Sequence, residues 1–406
     1  MLRTWCASVW SFFSLDELQD NRTLQSLWWV FLAYQVLLFT VFLGDDAATT
    51  NAFVANQYTC WPWALNCGEW YALALKPALS QTIVYVVLFV LQGGAFAAAL
   101  KNKWRLAISI YSLLIIWEAV LVFFLSYEAG EAYIYLHILL SALLLMVPLK
   151  RYAMQLIVVL LHMLGALMEW YRYWFLAGGS AFSLPLLGTT LSVWLVNVVL
   201  VVQTIGILYL FSRRHWYRRG ILLALVALHA YGALSFDENY FILMVPVLFA
   251  LFWDWEPRPD LSRARMVLFG TIAVACIGIH LWIFTAAASL NFTFARPHLG
   301  VSMFFPQTSG ISKALITYTD GTHEAMNASW TDRPCRCSPY SRWFELRNRC
   351  EYDDRIASIA WTLDLSLQRG IWARVVDVPN VCSLNFSILQ HNDWIRSDIS
   401  TEQRSQ

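Results

Sequence analysis

The stretch AMQLIVVLLHMLGALMEWYRY, residues 153–173, decides how the rest of the chain is read. From Ala153 to Met168 it holds no Asp, Glu, Lys or Arg, and its length matches the roughly 20 apolar residues that carry a helix through the ~30 Å hydrocarbon core of a bilayer. Working outward, eight more apolar stretches of similar kind surround it: Leu27–Leu43, Thr82–Leu100, Leu106–Leu125, Ala132–Leu149, Thr189–Phe211, Ile221–Leu234, Phe241–Trp253 and Val267–Ala287. Together they predict an all-α polytopic membrane bundle of nine transmembrane helices over residues 27–287. A short interfacial segment, 1–26, precedes it, with the Trp5–Phe13 cluster as an aromatic anchor. An α+β, β-rich domain, 288–406, follows it.

Composition agrees with this reading. Apolar residues make up 59% of the chain and charged residues 14%, with a mean hydropathy of +0.52, whereas soluble domains run nearer half apolar and a quarter charged. The net charge of +1 names no partner. Without a basic block or a nucleic-acid motif, nucleic-acid binding is set aside.

Orientation follows from where Lys and Arg collect. Lys101, Lys103 and Arg105, then Lys150 and Arg151, then Arg213, Arg214, Arg218 and Arg219, then Arg258, Arg263 and Arg265 occupy alternate connections. The positive-inside rule predicts a cytoplasmic N-terminus and, after nine crossings, an extracytoplasmic tail in a periplasm or lumen. Cysteine usage points the same way: Cys60 and Cys67 fall in the first outer loop, and Cys335, Cys337, Cys350 and Cys382 in the tail, where disulfides persist. Cys335 and Cys337 are too close in sequence to bond each other comfortably, so each is expected to pair with Cys350 or Cys382. The Cys335-Arg-Cys337 spacing does not suit paired zinc ligands, and no metal is expected.

In the tail, Lys313–Tyr318 and Thr322–Met326 flank Asp320-Gly321, a hairpin signal. The run Asp353–Gln368 places Ile356, Ile359, Leu363 and Leu367 on one stripe and predicts a helix. Ile371–Val378 and Val381–Leu389 have strand-like composition. Asn291, Asn327 and Asn385 each open an Asn-x-Ser/Thr sequon.

Polar residues inside apolar stretches mark where function is sought. His162 and Glu169 lie seven apart and share a helix face, and Glu169 can pair with Arg172 three residues on, with Trp170 and Trp174 beside them. That group reads either as a site or as a satisfied ion pair at the headgroup level. Glu118, His137 and His229 sit deeper, and each reads either as a helix-to-helix hydrogen bond or as a cavity residue. The outer turn bearing Asp237 adds a carboxylate.

These features resemble a known family. Leu100-Lys-Asn-Lys-Trp-Arg105 resembles its junction between two spans, and Gln155 through His162 to Glu169, followed by Trp174 and Gly178, resembles its fifth span. His229-Ala-Tyr-Gly with Phe241 resembles a later span, and Met303-Phe304 with Asp320-Gly321 resembles its outer β-rich tail. The group is the HTTM family, which includes the vitamin K-dependent gamma-carboxylases. The resemblance implies a nine-span bundle with an outer-face site that a lipid or quinone-like ligand reaches from the bilayer. It also implies a Lys base in the fifth span, where this chain has Glu169. A carboxylate in place of that lysine reverses the charge, so classical gamma-carboxylation is not expected.

Two functions follow as expectations. One is a membrane protein that binds or acts on a lipid or quinone-like ligand, with Glu169 and His162 as acid–base groups and Arg172, Trp170, Trp174, Glu118, His137, His229 and Asp237 lining the pocket. The other is a non-catalytic accessory subunit whose aromatic faces dock membrane protein partners. The sequence identifies no cofactor.

Overall fold

The computed structural model of the chain describes residue 10 and residues 13–54, 77–120, 132–170, 189–236, 239–254, 263–285, 310–330, 339–368, 371–387 and 392–396. The first part is helical. It comprises α1 (Asp16–Asp20), α2 (Arg22–Val54), α3 (Pro77–Leu100), α4 (Trp104–Val120), α5 (Ala132–Met146), α6 (Lys150–Trp170), α7 (Thr189–Thr204), α8 (His215–Phe236), α9 (Asn239–Phe252) and α10 (Arg263–Thr285).

Each apolar stretch of the sequence thus carries helix, yet the nine-span expectation is corrected. Among the described residues only the window Lys150–Leu167 is long and apolar enough to cross a membrane. For three of the helices it is continuous helical length that falls short. Helices α5, α7 and α9 hold 15, 16 and 14 residues, about 21–24 Å at 1.5 Å per residue against a core of ~30 Å. A hydropathy window counts apolar residues whether or not they continue one helix. After Thr204, for example, the apolar run goes on as a separate 3₁₀ segment, Gly206–Phe211.

Helix entry and packing have local causes. Asn21 caps α2, its Oδ1 accepting from the N–H groups of Thr23 and Leu24. One turn further on, Trp28 is fully buried and meets Trp29, Trp104 and Tyr111 edge-on at centroid distances of 5.0–5.6 Å, the geometry aromatic quadrupoles favour. Buried Ala95, Ala98 and Ala99 on α3 present small side chains that let helices approach closely.

The second part is a four-stranded antiparallel sheet built from β1 (Gly310–Tyr318), β2 (His323–Trp330), β3 (Ile356–Gln368) and β4 (Ile371–Val378), in the order β2-β1-β3-β4. The hairpin between β1 and β2 turns where Asp320-Gly321 predicts it. Gly321 has φ +81°, which a residue without Cβ adopts cheaply, and Asp320 Oδ1 accepts from the Thr322 N–H. One helix, α11 (Pro339–Tyr352), supplies Tyr340, Trp343, Phe344 and Leu346 to a core shared with Ala314, Ile316, Ile359, Trp361 and Leu363. Trp361 donates its indole N–H to Ser312 Oγ at 3.0 Å inside that core.

Two expectations for this part are corrected. The segment Asp353–Gln368 is a turn followed by strand from Ile356 rather than a helix, because Ile359, Trp361, Leu363 and Leu365 alternate with less buried residues and all face the core. Cys350 and Cys382 form a disulfide with each other, which excludes either as a partner of Cys335 or Cys337. Cys350 ends α11 and Cys382 lies in the short 3₁₀ segment Val381–Ser383, so the link ties the helix to the chain leaving β4. Cys60, Cys67, Cys335 and Cys337 lie outside the described residues, and of the expected strand Val381–Leu389 the described part, residues 381–387, is a 3₁₀ segment followed by irregular chain.

Candidate functional site

Three polar constellations interrupt the apolar interior of the helical part, and all are made by residues far apart in sequence. The first lies at one end of the helices. Lys150 is fully buried at the start of α6, and its Nζ donates to the carbonyls of Phe13, Leu145 and Val147 at 2.7, 3.3 and 3.0 Å. The Glu17 carboxylate accepts from the N–H groups of Leu149 and Lys150, taking donors that a helix N-terminus leaves unpaired.

Beside it, Arg151 donates to the carbonyls of Leu251 and Asp254, Gln155 to that of Leu251, and Arg218 to those of Phe252, Trp253 and Ser212. These groups cap the C-terminus of α9, whose last carbonyls have no partner within their own helix. A cleft of 870 Å³ opens here, lined by Asp16, Glu17, Asp20 and Asp254 and by Arg22, Arg151 and Arg218.

The second constellation is a histidine pair. His162 and His229 are both buried, with their Nε2 atoms 2.9 Å apart and rings nearly perpendicular at 89°. His162 Nδ1 lies 2.7 Å from the Val158 carbonyl, which can only accept, so that nitrogen carries a proton. In a neutral ring its Nε2 is then the acceptor, and His229 is the donor of the shared bond.

The placement of this pair follows from matched spacing. His162 lies eleven residues beyond Arg151 on α6, and His229 eleven beyond Arg218 on α8. Eleven residues are about three turns, or roughly 16 Å. Helices α6 and α8 therefore run in the same direction and are joined at two levels, through the end of α9 and through the imidazoles.

The third constellation joins α2, α4 and α5. His137 is fully buried, with Nδ1 at 3.4 Å from Glu118 Oε1 and Nε2 at 3.3 Å from the Phe31 carbonyl. The carbonyl requires an N–H at Nε2. The Glu118–His137 pair then holds one shared proton, as carboxylic acid facing imidazole or as carboxylate facing imidazolium. Glu118 Oε2 and Gln35 Oε1 are buried with no hydrogen-bond partner. Nearby, Tyr111 Oη and Ser141 Oγ are hydrogen bonded at 2.7 Å.

The sequence-derived candidates thus divide. Glu118 meets His137, and His162 meets His229, so four of them form two pairs. His162 and Glu169 lie on the same helix, and the hydrogen-bond partner of His162 across to another helix is His229. Glu169 and Trp170 belong to the last turn of α6, nineteen residues and roughly 28 Å from Lys150, so the charged cleft lies at the opposite end of the helix from them. Arg172, Trp174 and Asp237 lie outside the described residues.

The capping roles of Lys150, Arg151, Gln155 and Arg218 escape sequence reasoning, because their acceptors are carbonyls, which every residue carries. No cluster of three or more His, Cys, Asp or Glu suited to a metal occurs among the described residues. No family model, no curated protein and no solved structure matches this chain.

Proposed function

We propose that this chain is an integral membrane protein serving as a non-catalytic component of a larger membrane assembly, with its α/β domain on the extracytoplasmic side. The observation that carries the reading is the outward placement of large apolar side chains. Phe89, Val90, Trp194, Val267 and Val274 are between 62% and 70% exposed, and on α3 and α7 the opposite face carries buried residues such as Leu88, Ala95, Val196 and Leu200. Apolar surface of this extent marks a membrane or partner interface. The buried histidines meanwhile bond to groups of neighbouring helices, which is the use such residues have in holding helices together within a bilayer. The Cys350–Cys382 disulfide favours an oxidising compartment for the sheet domain.

A second reading is a lipid or quinone-like ligand held among the helices, as resemblance to the HTTM group implies. Its specific support is the pair of unsatisfied buried acceptors, Glu118 Oε2 and Gln35 Oε1, which a ligand hydroxyl would satisfy.

Extraction of the full chain from its own membranes in mild detergent, followed by sizing and mass spectrometry, separates the two. The assembly reading expects membrane proteins co-purifying at fixed stoichiometry. A monodisperse single chain carrying one bound lipid or quinone, lost in Glu118→Gln, overturns it in favour of the ligand reading.

A further inference from the structure

We propose that Asn327 on strand β2 is an N-glycosylation site and that its glycan shields the open edge of the sheet. The sequence around it, Asn327-Ala-Ser329, meets the acceptor pattern. Its placement makes the attachment possible in the folded protein. Residues two apart on a strand point to the same face, and Asn327 and Ser329 are both exposed. Asn327 pairs in register with Lys313, which is also exposed, while Ser312, Ala314 and Ile316 point into the core under α11. The amide therefore stands on the sheet face away from the helix.

Three further observations converge on this strand. Among the described residues β2 pairs only with β1, so within this sheet its other backbone edge is open. Exposed edges invite pairing with other chains unless something covers them. On the same outer face Leu315 is 45% exposed, and its register partner is Ala325, two residues from Asn327. The disulfide within the same domain matches the compartment where this modification takes place. A second sequon, Asn385-Phe-Ser387, is exposed at Asn385 beyond β4 and extends the proposal to that residue. Asn291 lies outside the described residues.

The chemistry requires a lipid-linked oligosaccharyl pyrophosphate as donor. Asn327 Nδ2 forms the bond to the sugar C1 as the C1–O bond to pyrophosphate breaks. One amide proton leaves, and the lipid pyrophosphate departs with the bonding electron pair.

The chain contains an internal control. Asn21-Arg-Thr23 is also a sequon, but Asn21 Oδ1 caps α2 at the end of the helices lined by Lys150, Arg151 and Arg218. The proposal expects it to stay unmodified.

The test uses the full chain expressed in a eukaryotic secretory system, treated with peptide N-glycosidase in ¹⁸O-water, with mobility and peptide mass as readouts. Wild type is expected to gain mobility and carry the ¹⁸O-Asp tag at 327 and 385. Asn327→Gln and Ser329→Ala each lose one step, and Ser329→Ala keeps the asparagine in case the first variant folds poorly. Absence of a tag at 327 with the Cys350–Cys382 disulfide intact overturns the glycan proposal alone. Free thiols at both cysteines with no tag overturn the extracytoplasmic placement as well, and a tag at Asn21 overturns the assignment of sides.

Discussion

Replacing Lys150 by methionine keeps the volume of a long unbranched side chain and removes its three donors. The carbonyls of Phe13, Leu145 and Val147 then lose the group that joins them. A buried acceptor left unsatisfied costs about 1–3 kcal/mol. The Leu145 contact is buried and takes the upper part of that range, while those to Phe13 and Val147 lie partly within reach of water and take the lower part. The sum is about 4–6 kcal/mol, since each term follows the same desolvation cost.

Lys150→Arg sharpens the comparison. It preserves the positive charge that the loop-charge rule counts, but a planar guanidinium cannot place three donors around one nitrogen as an ammonium does. Denaturant titration of the full chain in mixed micelles, followed by tryptophan fluorescence, reads both variants. Both are expected to be destabilised. Variants within about 0.5 kcal/mol of wild type, the range of neutral surface changes, would refute the capping role.

Three other perturbations follow from particular contacts. His162→Phe and His229→Phe each strand a buried nitrogen, so a double-mutant cycle by the same titration is expected to show a coupling of about 1 kcal/mol, and strict additivity would remove the bond. A Cβ at Gly321 meets nothing within 4 Å, but Gly321→Val forces a β-branched residue to φ +81°; a loss of about 1–2 kcal/mol is expected, less for Gly321→Asn, read by amide exchange in β1 and β2. The Arg355 guanidinium beside Asp353 holds its carboxyl below the usual carboxylate range. Its contribution is therefore complete above the unfolded pKa of about 4 and is lost as pH falls through the lower folded value. Amide exchange at Thr319, which donates to the Arg355 carbonyl at 2.7 Å, is expected to accelerate in that acid range and to lose this acid limb in Asp353→Asn.

Local chemistry was the legible part of this protein. Asp320-Gly321 carried its own turn, and the apolar runs carried their own helices, because a turn residue or a side-chain period acts over a few neighbouring positions. Where two periods competed, reading failed. In residues 353–368 Ile356, Ile359, Leu363 and Leu367 suggest one helical stripe, but Ile359, Trp361, Leu363 and Leu365 alternate, and pairing with β1 and β4 favours the alternation. Helix α11 went unread because its apolar face, Tyr340, Trp343, Phe344 and Leu346, is set among charged residues that lower the segment's apolar signal.

What the sequence determined by itself is therefore the apolar helical part, its tail with a β-hairpin, and the polar residues worth following. Tertiary structure alone decided which of these meet. Helices α6 and α8, carrying Arg151 and His162 and Arg218 and His229 at the same eleven-residue spacing, are aligned with both arginines bound to the end of α9. That alignment brings the two imidazoles within 2.9 Å. Cys350 likewise finds Cys382 rather than Cys335 or Cys337 because α11 lies across the sheet that β4 completes. Partners set by carbonyls and by packing leave no local mark, since every residue offers the same carbonyl and only the fold determines which one is near.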